Sequence, residues 1–248
     1  MTVMVPAGQS PHSFEPKPKQ LMAAHRADAY FKVGSGLEFE LTHLETLKGQ
    51  NPSMSVVDLS KGIGLKSLDE HYGHKGAENG EEEGPGGKDP HIWTSPPNLK
   101  VIYRNIAEGL SRLDGENRKD YEDNLEDQLD RLEEVHEKIK ETLAPFRGRS
   151  FLTYHPSWGY FGDTYELKQI ALEKGGKQPG PKTVADRISL AKRESIDVVL
   201  VSPRVDLARA KVIAGAIKGE VVQVDPLNPN YLETLLKLAR ILKEDLES

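Results

Sequence analysis

The run Ile196-Asp197-Val198-Val199-Leu200-Val201 decides the fold class of this chain of 248 residues. A continuous run rich in β-branched residues is typical of a strand that is buried on both faces of a parallel sheet. Helical patterns precede and follow it at Val184–Glu194 and Leu207–Ile217, and another strand is predicted at Val221–Val224. Strands that alternate with helices in this way predict an α/β fold with a parallel sheet.

The same alternation extends outward over the rest of the chain. Strands are predicted at Thr2–Val5, Ala29–Val33, Ser55–Leu59 and Ser150–Tyr154. Helices are predicted at Pro18–Arg26, Leu37–Leu47, Pro96–Leu113, Thr164–Glu173 and Tyr231–Leu246, with a Gly/Pro loop at Gly175–Pro181. We therefore expect two α/β lobes, each with a mainly parallel sheet.

One long helical pattern separates these two halves and runs from Asp114 to Leu143, before Pro145 stops it. Its apolar residues step by three or four, which is typical of a helix with one buried stripe. They are Tyr121, Leu125, Leu129, Leu132, Val135, Ile139 and Leu143. A helix of this length would be roughly 45 Å long at 1.5 Å per residue. We expect a rigid linking helix over 114–145, between an N-terminal lobe at 1–113 and a C-terminal lobe at 146–248.

Composition excludes several classes of function. A net charge of -6 and a pI near 5.8 argue against a nucleic-acid binder, which normally carries a basic stripe. The absence of cysteine excludes disulfides, thiolate zinc sites and thiol catalysis. The first residues show no basic region followed by an apolar core, so they do not form an export signal. This indicates either a cytoplasmic protein or a chain without its beginning.

Four residues stand out as candidate metal ligands: His12, His91, His155 and Asp225. Each is adjacent to a proline, and each follows a predicted strand directly or lies in the connection after one. In open α/β sheets, ligands bind outside the carboxyl ends of the strands. Because two candidates come from each half of the chain, we expect them to converge on one metal ion in a cleft between the lobes.

Three neutral imidazoles and one carboxylate satisfy a four-coordinate zinc ion, with Zn–N distances of roughly 2.0–2.1 Å. The adjacent prolines restrict the backbone beside each ligand and so reduce the cost of ordering the site. A closed sphere of four protein ligands leaves no position for an activated water, which favours binding over catalysis. Two alternatives stay open: a three-His zinc-dependent hydrolase with Asp225 as base, and a metal-dependent adhesin or structural surface protein.

Residues 60–88 differ in composition from the rest of the chain, because they are rich in glycine and acidic residues without apolar periodicity. They are expected to form a mobile surface loop. The loop contains His71 and His74, three residues apart. It is interpreted either as a solvated linker or as a segment that collects metal with low affinity.

Four segments together resemble the zinc/manganese-binding receptors of ABC-type metal importers: Val5–Pro16, Asp89–Trp93, Thr153–Phe161 and Val224–Leu227. The resemblance covers essentially the whole chain. It implies two α/β lobes joined by a long rigid helix, with His12, His91, His155 and Asp225 holding the metal at their interface. It also implies a monomeric extracytoplasmic protein that delivers the ion to a membrane permease, without nucleic acid as a partner.

A histidine at position 155, where the manganese branch has glutamate, resembles the zinc branch, so Zn²⁺ is the implied ligand and Mn²⁺ the alternative. The loop with His71 and His74 resembles a short form of that branch's His-rich insertion. The chain departs from the family pattern at its start, where the export signal and the first strand–helix unit are expected. It also has Ser202-Pro203-Arg204 where relatives often carry an acidic residue, so Arg204 is expected near the site and to weaken it.

Overall fold

The computed structural model describes residues 1–6, 9–67, 87–173 and 179–247. The chain divides into two compact units. The first is Met1–Lys66, Glu81–Trp93 and Pro97–Leu132, and the second is Ser67–Gly80, Thr94–Pro96 and Glu133–Ser248. In the described part of the chain, no helix is long and apolar enough to cross a membrane.

The first unit is built on two parallel strands. In chain order its elements are α1 (Pro18–His25), β1 (Ala29–Lys32), α2 (Glu38–Gln50), β2 (Ser55–Asp58), most of α3 (Pro96–Leu113) and the start of α4 (Arg118–Leu143). The strands pair in register from Ala29 with Ser55 to Lys32 with Asp58. Since side chains alternate across a strand, β1 and β2 present different residues to the two faces of this sheet.

One face of the β1–β2 sheet carries Tyr30 and Val56, which pack with buried residues of α1 and α2. The other face carries Phe31 and Val57, and α3 approaches it closely at Gly109. A Cβ added at Gly109 would lie 2.9 Å from a methyl carbon of Val57. The missing side chain at this position therefore lets the helix pack directly on the strands.

The second unit contains a four-stranded parallel sheet in the order β4-β3-β5-β6. Its elements are β3 (Ser150–Thr153), α5 (Gly159–Thr164), β4 (Lys168–Ala171), α6 (Pro181–Arg193), β5 (Val198–Val201), α7 (Leu207–Ile217), β6 (Glu220–Gln223) and α8 (Tyr231–Glu247). Every residue of β3 and β5 is buried, which confirms the interpretation of the run at 196–201. The predicted α/β class with parallel sheets is also confirmed.

The direction in which the chain winds reverses between two neighbouring strands of this sheet. From β3 the chain moves outward to β4, crosses back to β5, and continues outward to β6 on the other side. In open α/β sheets the ligand crevice lies outside the carboxyl ends of the strands at such a switch point. The residues that follow β3 and β5 are therefore the ones best placed to contact a ligand.

The predicted long helix is confirmed as α4, with short 3-10 helices before it at Gly115–Asn117 and after it at Ala144–Phe146. Leu132, Ile139 and Leu143 of its apolar stripe are fully buried. The division between the two compact units falls within this helix, after Leu132. The sequence-based boundaries at 113 and 145 stay a prediction.

Two predicted elements are wrong. Residues 2–5 do not form a strand, because no described strand offers them a partner for ladder hydrogen bonds. The predicted helix at 164–173 is instead the end of α5 followed by β4. Good helix formers such as Leu167, Lys168 and Gln169 gave this segment its helical pattern. Burial beside β3 overrides that preference, because strand propensity depends on how a residue packs in the sheet.

Candidate metal centre

The four strands of the second unit each place one polar residue at the same edge of the sheet. Glu173 follows β4, His155 follows β3, Arg204 follows β5 and Asp225 follows β6. All four strands are parallel, so their carboxyl ends meet at one edge. The sheet order makes His155 and Arg204 the residues that flank the switch point. The edge therefore combines a histidine, an arginine and two carboxylates.

His155 is held by Glu173, the residue at the end of the neighbouring strand. Its Nδ1 atom lies 2.9 Å from Glu173 Oε2, and both side chains are largely buried. Since a carboxylate accepts and does not donate, Nδ1 carries the hydrogen in this contact. The neutral ring then has its lone pair on Nε2, which is the nitrogen that can coordinate a metal.

Asp225 is held by Arg204. Asp225 Oδ1 accepts a hydrogen bond from Arg204 Nη1 at 2.9 Å, and Oδ2 accepts one from Nη2 at 3.4 Å. Oδ1 also accepts the backbone N–H of Leu227 at 3.0 Å. The structure therefore places Arg204 against the predicted fourth ligand, as the sequence indicated. It does so through a two-pronged ion pair, which occupies the carboxylate of Asp225.

In the first unit His91 is oriented by Asp89. Asp89 Oδ1 accepts from the backbone N–H of His91 at 2.9 Å and lies 2.7 Å from its Nδ1 atom. The side chains of Asp89 and His91 are only 0% and 3% exposed. The ring is therefore fixed in the same way as that of His155, with Nδ1 turned to the carboxylate. Trp93 packs beside the ring, with 5.3 Å between the ring centroids.

His12 lies next to His91, with 5.4 Å between their ring centroids. Its Nδ1 atom is 2.7 Å from Oε2 of Glu38, the first residue of α2, whose side chain is 50% exposed. Burial works to raise the pKa of Glu38, but its hydrogen bonds and its electrostatic interactions with His12 and His91 outweigh this effect, so the pKa is lowered. The structure thus brings His12 and His91 together within one unit.

A set of hydrogen bonds ties the segment before His91 to the turn that follows β1. The Ser35 hydroxyl donates to the carbonyl of Pro90 at 2.6 Å, and Ser35 is fully buried. Glu40 accepts from the backbone N–H groups of Val33 and Gly34, at 2.6 and 2.9 Å. Gly34 has a φ of +77°, and a Cβ there would overlap the carboxylate of Asp58. These contacts fix the conformation of the turn after β1, and this turn holds Pro90 through Ser35.

The segment that leads into His91 is also tied to Lys66. The backbone N–H of Asp89 donates to the carbonyl of Lys66 at 2.8 Å. His71 and His74 lie between these two positions in the sequence and are outside the described residues. Most of the predicted loop at 175–181 is also outside the described residues. The prediction that the two histidines collect metal stays a prediction.

Sequence reasoning identified the histidines but missed two of their carboxylate partners. Glu38 and Glu173 are separated from their histidines by 26 and 18 residues, so spacing gave no sign of them. Asp89 is two residues from His91, inside the segment Asp89–Trp93 that carries the family resemblance. An acidic residue at the end of a correctly assigned β4 would have been a signal for Glu173.

Carboxylates hold the imidazole rings by Nδ1, and a sheet edge of polar residues lies at a switch point. Together these features are those of a metal-binding α/β protein. The family model described as "ZnuA: Zinc-uptake complex component A periplasmic" matches residues 1–245. The chain belongs to this family. Its members are substrate-binding receptors that work with ABC transporters outside the cytoplasm, and they are not enzymes.

Individual relatives are similar over almost the whole chain. The "High-affinity zinc uptake system protein ZnuA" of Bacillus subtilis (strain 168) is 26% identical over 251 residues, covering 99% of this chain and 78% of the relative. A crystal structure of ZnuA has a TM-score of 0.87 and 33% identity, and covers 99% of this chain and 89% of its own. A zinc-bound deletion mutant of ZnuA has a TM-score of 0.85 and 33% identity, with coverages of 98% and 88%.

Proposed function

We propose that this chain binds a divalent transition metal ion, with zinc as the preferred metal, and delivers it to an ABC-type permease in the membrane. The ligands in this proposal are the Nε2 atoms of His12, His91 and His155. One observation carries the proposal: the Nδ1 atom of each ring lies 2.7–2.9 Å from a carboxylate oxygen.

This arrangement suits metal binding for a chemical reason. A histidine that ligates a metal nearly always donates its other ring N–H to a carboxylate, a carbonyl or water, which fixes the tautomer and raises the basicity of the ligating nitrogen. Each of the three histidines offers one ring nitrogen as a ligand atom. Imidazole nitrogens suit zinc, whereas manganese prefers carboxylates, carbonyls and water. The ligand set therefore favours Zn²⁺ over Mn²⁺.

The position of Asp225 in this proposal differs from that of the histidines. It is predicted from the sequence as the fourth ligand, and this stays a prediction. Its carboxylate is paired with Arg204. A metal that took Asp225 as a ligand would have to compete with the guanidinium for the same oxygens.

The remaining parts of the proposal concern the cell. We place the protein outside the cytoplasm, as a monomer that releases zinc to its permease, in agreement with the description of its family as a periplasmic component of a zinc-uptake complex. The B. subtilis relative is named as a high-affinity zinc uptake protein, which supports the same function. Family membership favours a receptor over the two alternatives from the sequence, a three-His hydrolase and a metal-dependent adhesin.

The test is native mass spectrometry of the protein in a mixture of zinc and manganese, before and after His155→Ala. We expect one zinc ion per chain in the wild type and its loss in the variant. His25→Ala is the matched control, because His25 is an exposed histidine at the end of α1 and should leave the stoichiometry unchanged. Unchanged zinc stoichiometry in His155→Ala would rule out the proposed ligand set.

A second readout is the pH dependence of binding. A protonated imidazole cannot coordinate, so zinc affinity should fall between pH values of about 7.5 and about 5. Isothermal titration calorimetry with a competing chelator at each pH measures this fall. An affinity that stays flat over this range would contradict a site made of three histidines.

A further inference from the structure

We propose that Arg204 is a specificity-determining residue, because its ion pair with Asp225 keeps this carboxylate out of the coordination sphere and so favours zinc over manganese. The inference rests on the proposed function, in which His155 of the same sheet edge is a ligand. It assigns to Arg204 a contribution to metal selectivity in addition to that of the three histidines.

The first argument is the geometry of the ion pair. The two terminal nitrogens of the guanidinium each contact a different oxygen of Asp225, at 2.9 and 3.4 Å. The backbone N–H of Leu227 adds a third donor at 3.0 Å. A planar guanidinium matches a carboxylate in this two-pronged way, and such pairs are among the stronger hydrogen-bonded contacts in proteins. Both oxygens of Asp225 are therefore engaged.

The second argument is burial. The side chains of Arg204 and Asp225 are only 17% and 24% exposed. Water and salt screen a partly buried pair less than a surface pair. A metal that withdrew Asp225 would break this partly buried ion pair, and it would bring its own positive charge close to the guanidinium. Both effects oppose the transfer of the carboxylate to the metal.

The third argument is the position of Arg204 in the sheet. It follows β5, which lies between β3, the strand of His155, and β6, the strand of Asp225. A fixed positive charge thus stands between the strand that supplies a ligand and the strand that supplies the carboxylate. The same placement puts Arg204 beside the switch point, where ligands of open α/β sheets bind.

The chemical consequence is a sphere of imidazole nitrogens without a carboxylate from this edge. Zinc accepts nitrogen ligands readily, whereas manganese binds best to carboxylate, carbonyl and water oxygens. The ion pair between Asp225 and Arg204 therefore lowers the affinity for manganese, which loses its preferred donor, more than it lowers the affinity for zinc. Releasing Asp225 should bring the affinities for the two metals closer together.

The experiment compares wild type, Arg204→Gln, Asp225→Ala and the double variant by calorimetric titration with Zn²⁺ and with Mn²⁺. Arg204→Gln keeps much of the side chain and removes the charge. We expect its manganese affinity to rise about tenfold or more, with a smaller change for zinc, in line with the effect of outer-shell partners on metal sites. In the double variant the gain in manganese affinity should disappear, because no carboxylate is then released.

A matched control is Arg147→Gln. Arg147 also forms an ion pair with a glutamate of the second unit, Glu166, at 3.2 Å, but it lies before β3, at the opposite end of the strand from His155. Its removal should leave the ratio of the zinc and manganese affinities unchanged. X-ray absorption spectra of the manganese-loaded proteins give a second readout, since Arg204→Gln should add an oxygen ligand that the double variant lacks.

The possible outcomes separate this inference from the proposed function. If wild type binds one zinc through His155 but Arg204→Gln leaves the metal ratio unchanged, the inference is wrong and the proposed function stands. A double variant that keeps the manganese gain also overturns the inference. If wild type binds no zinc, the proposed function itself fails. Should Arg204→Gln not fold, Arg204→Lys carries the same test with a smaller expected shift, since lysine keeps the charge but loses the two-pronged contact.

Discussion

The two units supply their candidate ligands by different structural means. In the second unit, His155 and Asp225 each stand two residues beyond a strand of one parallel sheet. In the first unit, His12 and His91 lie outside the regular elements, and individual hydrogen bonds hold them in place. The sheet thus positions the candidate ligands of the second unit through its backbone ladder, whereas side chains position those of the first unit.

This difference has an energetic consequence. The backbone of a residue at the end of a ladder is placed by many hydrogen bonds, so removing one side chain nearby leaves that backbone where it is, although the ring still depends on its own carboxylate partner. A residue in a loop depends on a few contacts, so each of them should influence metal affinity. The variants below test this contrast in order of decreasing effect on zinc binding.

The largest effect is expected for Asp89→Ala. This change removes both hydrogen bonds between Asp89 and His91, and it takes this carboxylate away from the ring in a buried position. Loss of such a partner typically weakens metal binding by about 10–100-fold. Competition titration with a zinc chelator measures the change, and Asp123→Ala, at an exposed position of α4, is the control. A change in zinc affinity of less than about twofold would show that Asp89 does not orient a ligand.

A smaller and unequal pair of effects is expected for Glu173→Ala and Glu38→Ala. Each change removes the carboxylate partner of a candidate histidine ligand. The side chain of Glu173 is 11% exposed, whereas that of Glu38 is 50% exposed. Water can replace the exposed carboxylate more easily than the buried one. Glu173→Ala should therefore weaken zinc binding several-fold more than Glu38→Ala, as measured by the same titration. Equal effects would argue that burial does not decide the contribution of these partners.

A still smaller loss of zinc affinity is expected for Ser35→Ala, which removes the hydroxyl that donates a hydrogen bond to the carbonyl of Pro90. A buried hydrogen bond of this kind contributes about 1 kcal/mol, so zinc affinity should fall by a few-fold. Ser53→Ala is the control, because the Ser53 hydroxyl also donates a hydrogen bond, to Asn51, in the turn between α2 and β2. The thermal unfolding of both metal-free variants shows whether stability alone accounts for the change. A zinc affinity equal to that of the wild type would mean that Pro90 is held without Ser35.

No effect on zinc affinity is expected for Asp245→Asn, which instead should change how stability depends on pH. Asp245 accepts from the backbone N–H groups of Asp197 and Val198, at the start of β5. Burial raises its pKa from 3.8 to about 6. Because the folded pKa is raised, this group stabilises the protein most below the unfolded pKa, and the contribution is lost as pH rises through about 6.

Asparagine keeps an oxygen that can accept both backbone hydrogen bonds and cannot carry the buried charge. The metal-free variant should therefore be more stable than wild type near neutral pH, and the difference should shrink as pH falls toward 4. Urea unfolding at several pH values measures this. Glu244→Gln, an exposed position on the same turn of α8, is the control. A variant less stable than wild type at neutral pH would contradict the assignment of a buried charge.

The contrast between the units also explains what the sequence could predict. The strands that precede His155 and Asp225 have strong patterns, so the positions of both residues just beyond strand ends were predicted correctly. Glu173 was missed for the same reason that β4 was missed: its segment is rich in helix formers, and only burial in the sheet makes it a strand. An error in one element therefore concealed one residue of the site.

In the first unit the prediction of His12 was reached by an argument that does not hold. The residue was expected at the end of a strand over 2–5, and no such strand is described. His12 nevertheless lies beside His91, because α2 supplies Glu38 to its ring. Contacts between side chains far apart in the sequence leave no periodic pattern, so Glu38 and the tie between Ser35 and Pro90 could not be predicted.

Gly34 has a consequence for how this sequence can vary over evolutionary time. Its positive φ and its closeness to Asp58 leave no room for a side chain, although it touches no candidate ligand itself. The next residue, Ser35, holds Pro90, and Pro90 precedes His91. A substitution at position 34 should therefore be selected against first as a loss of metal capture under zinc scarcity, in cells that grow normally when zinc is plentiful.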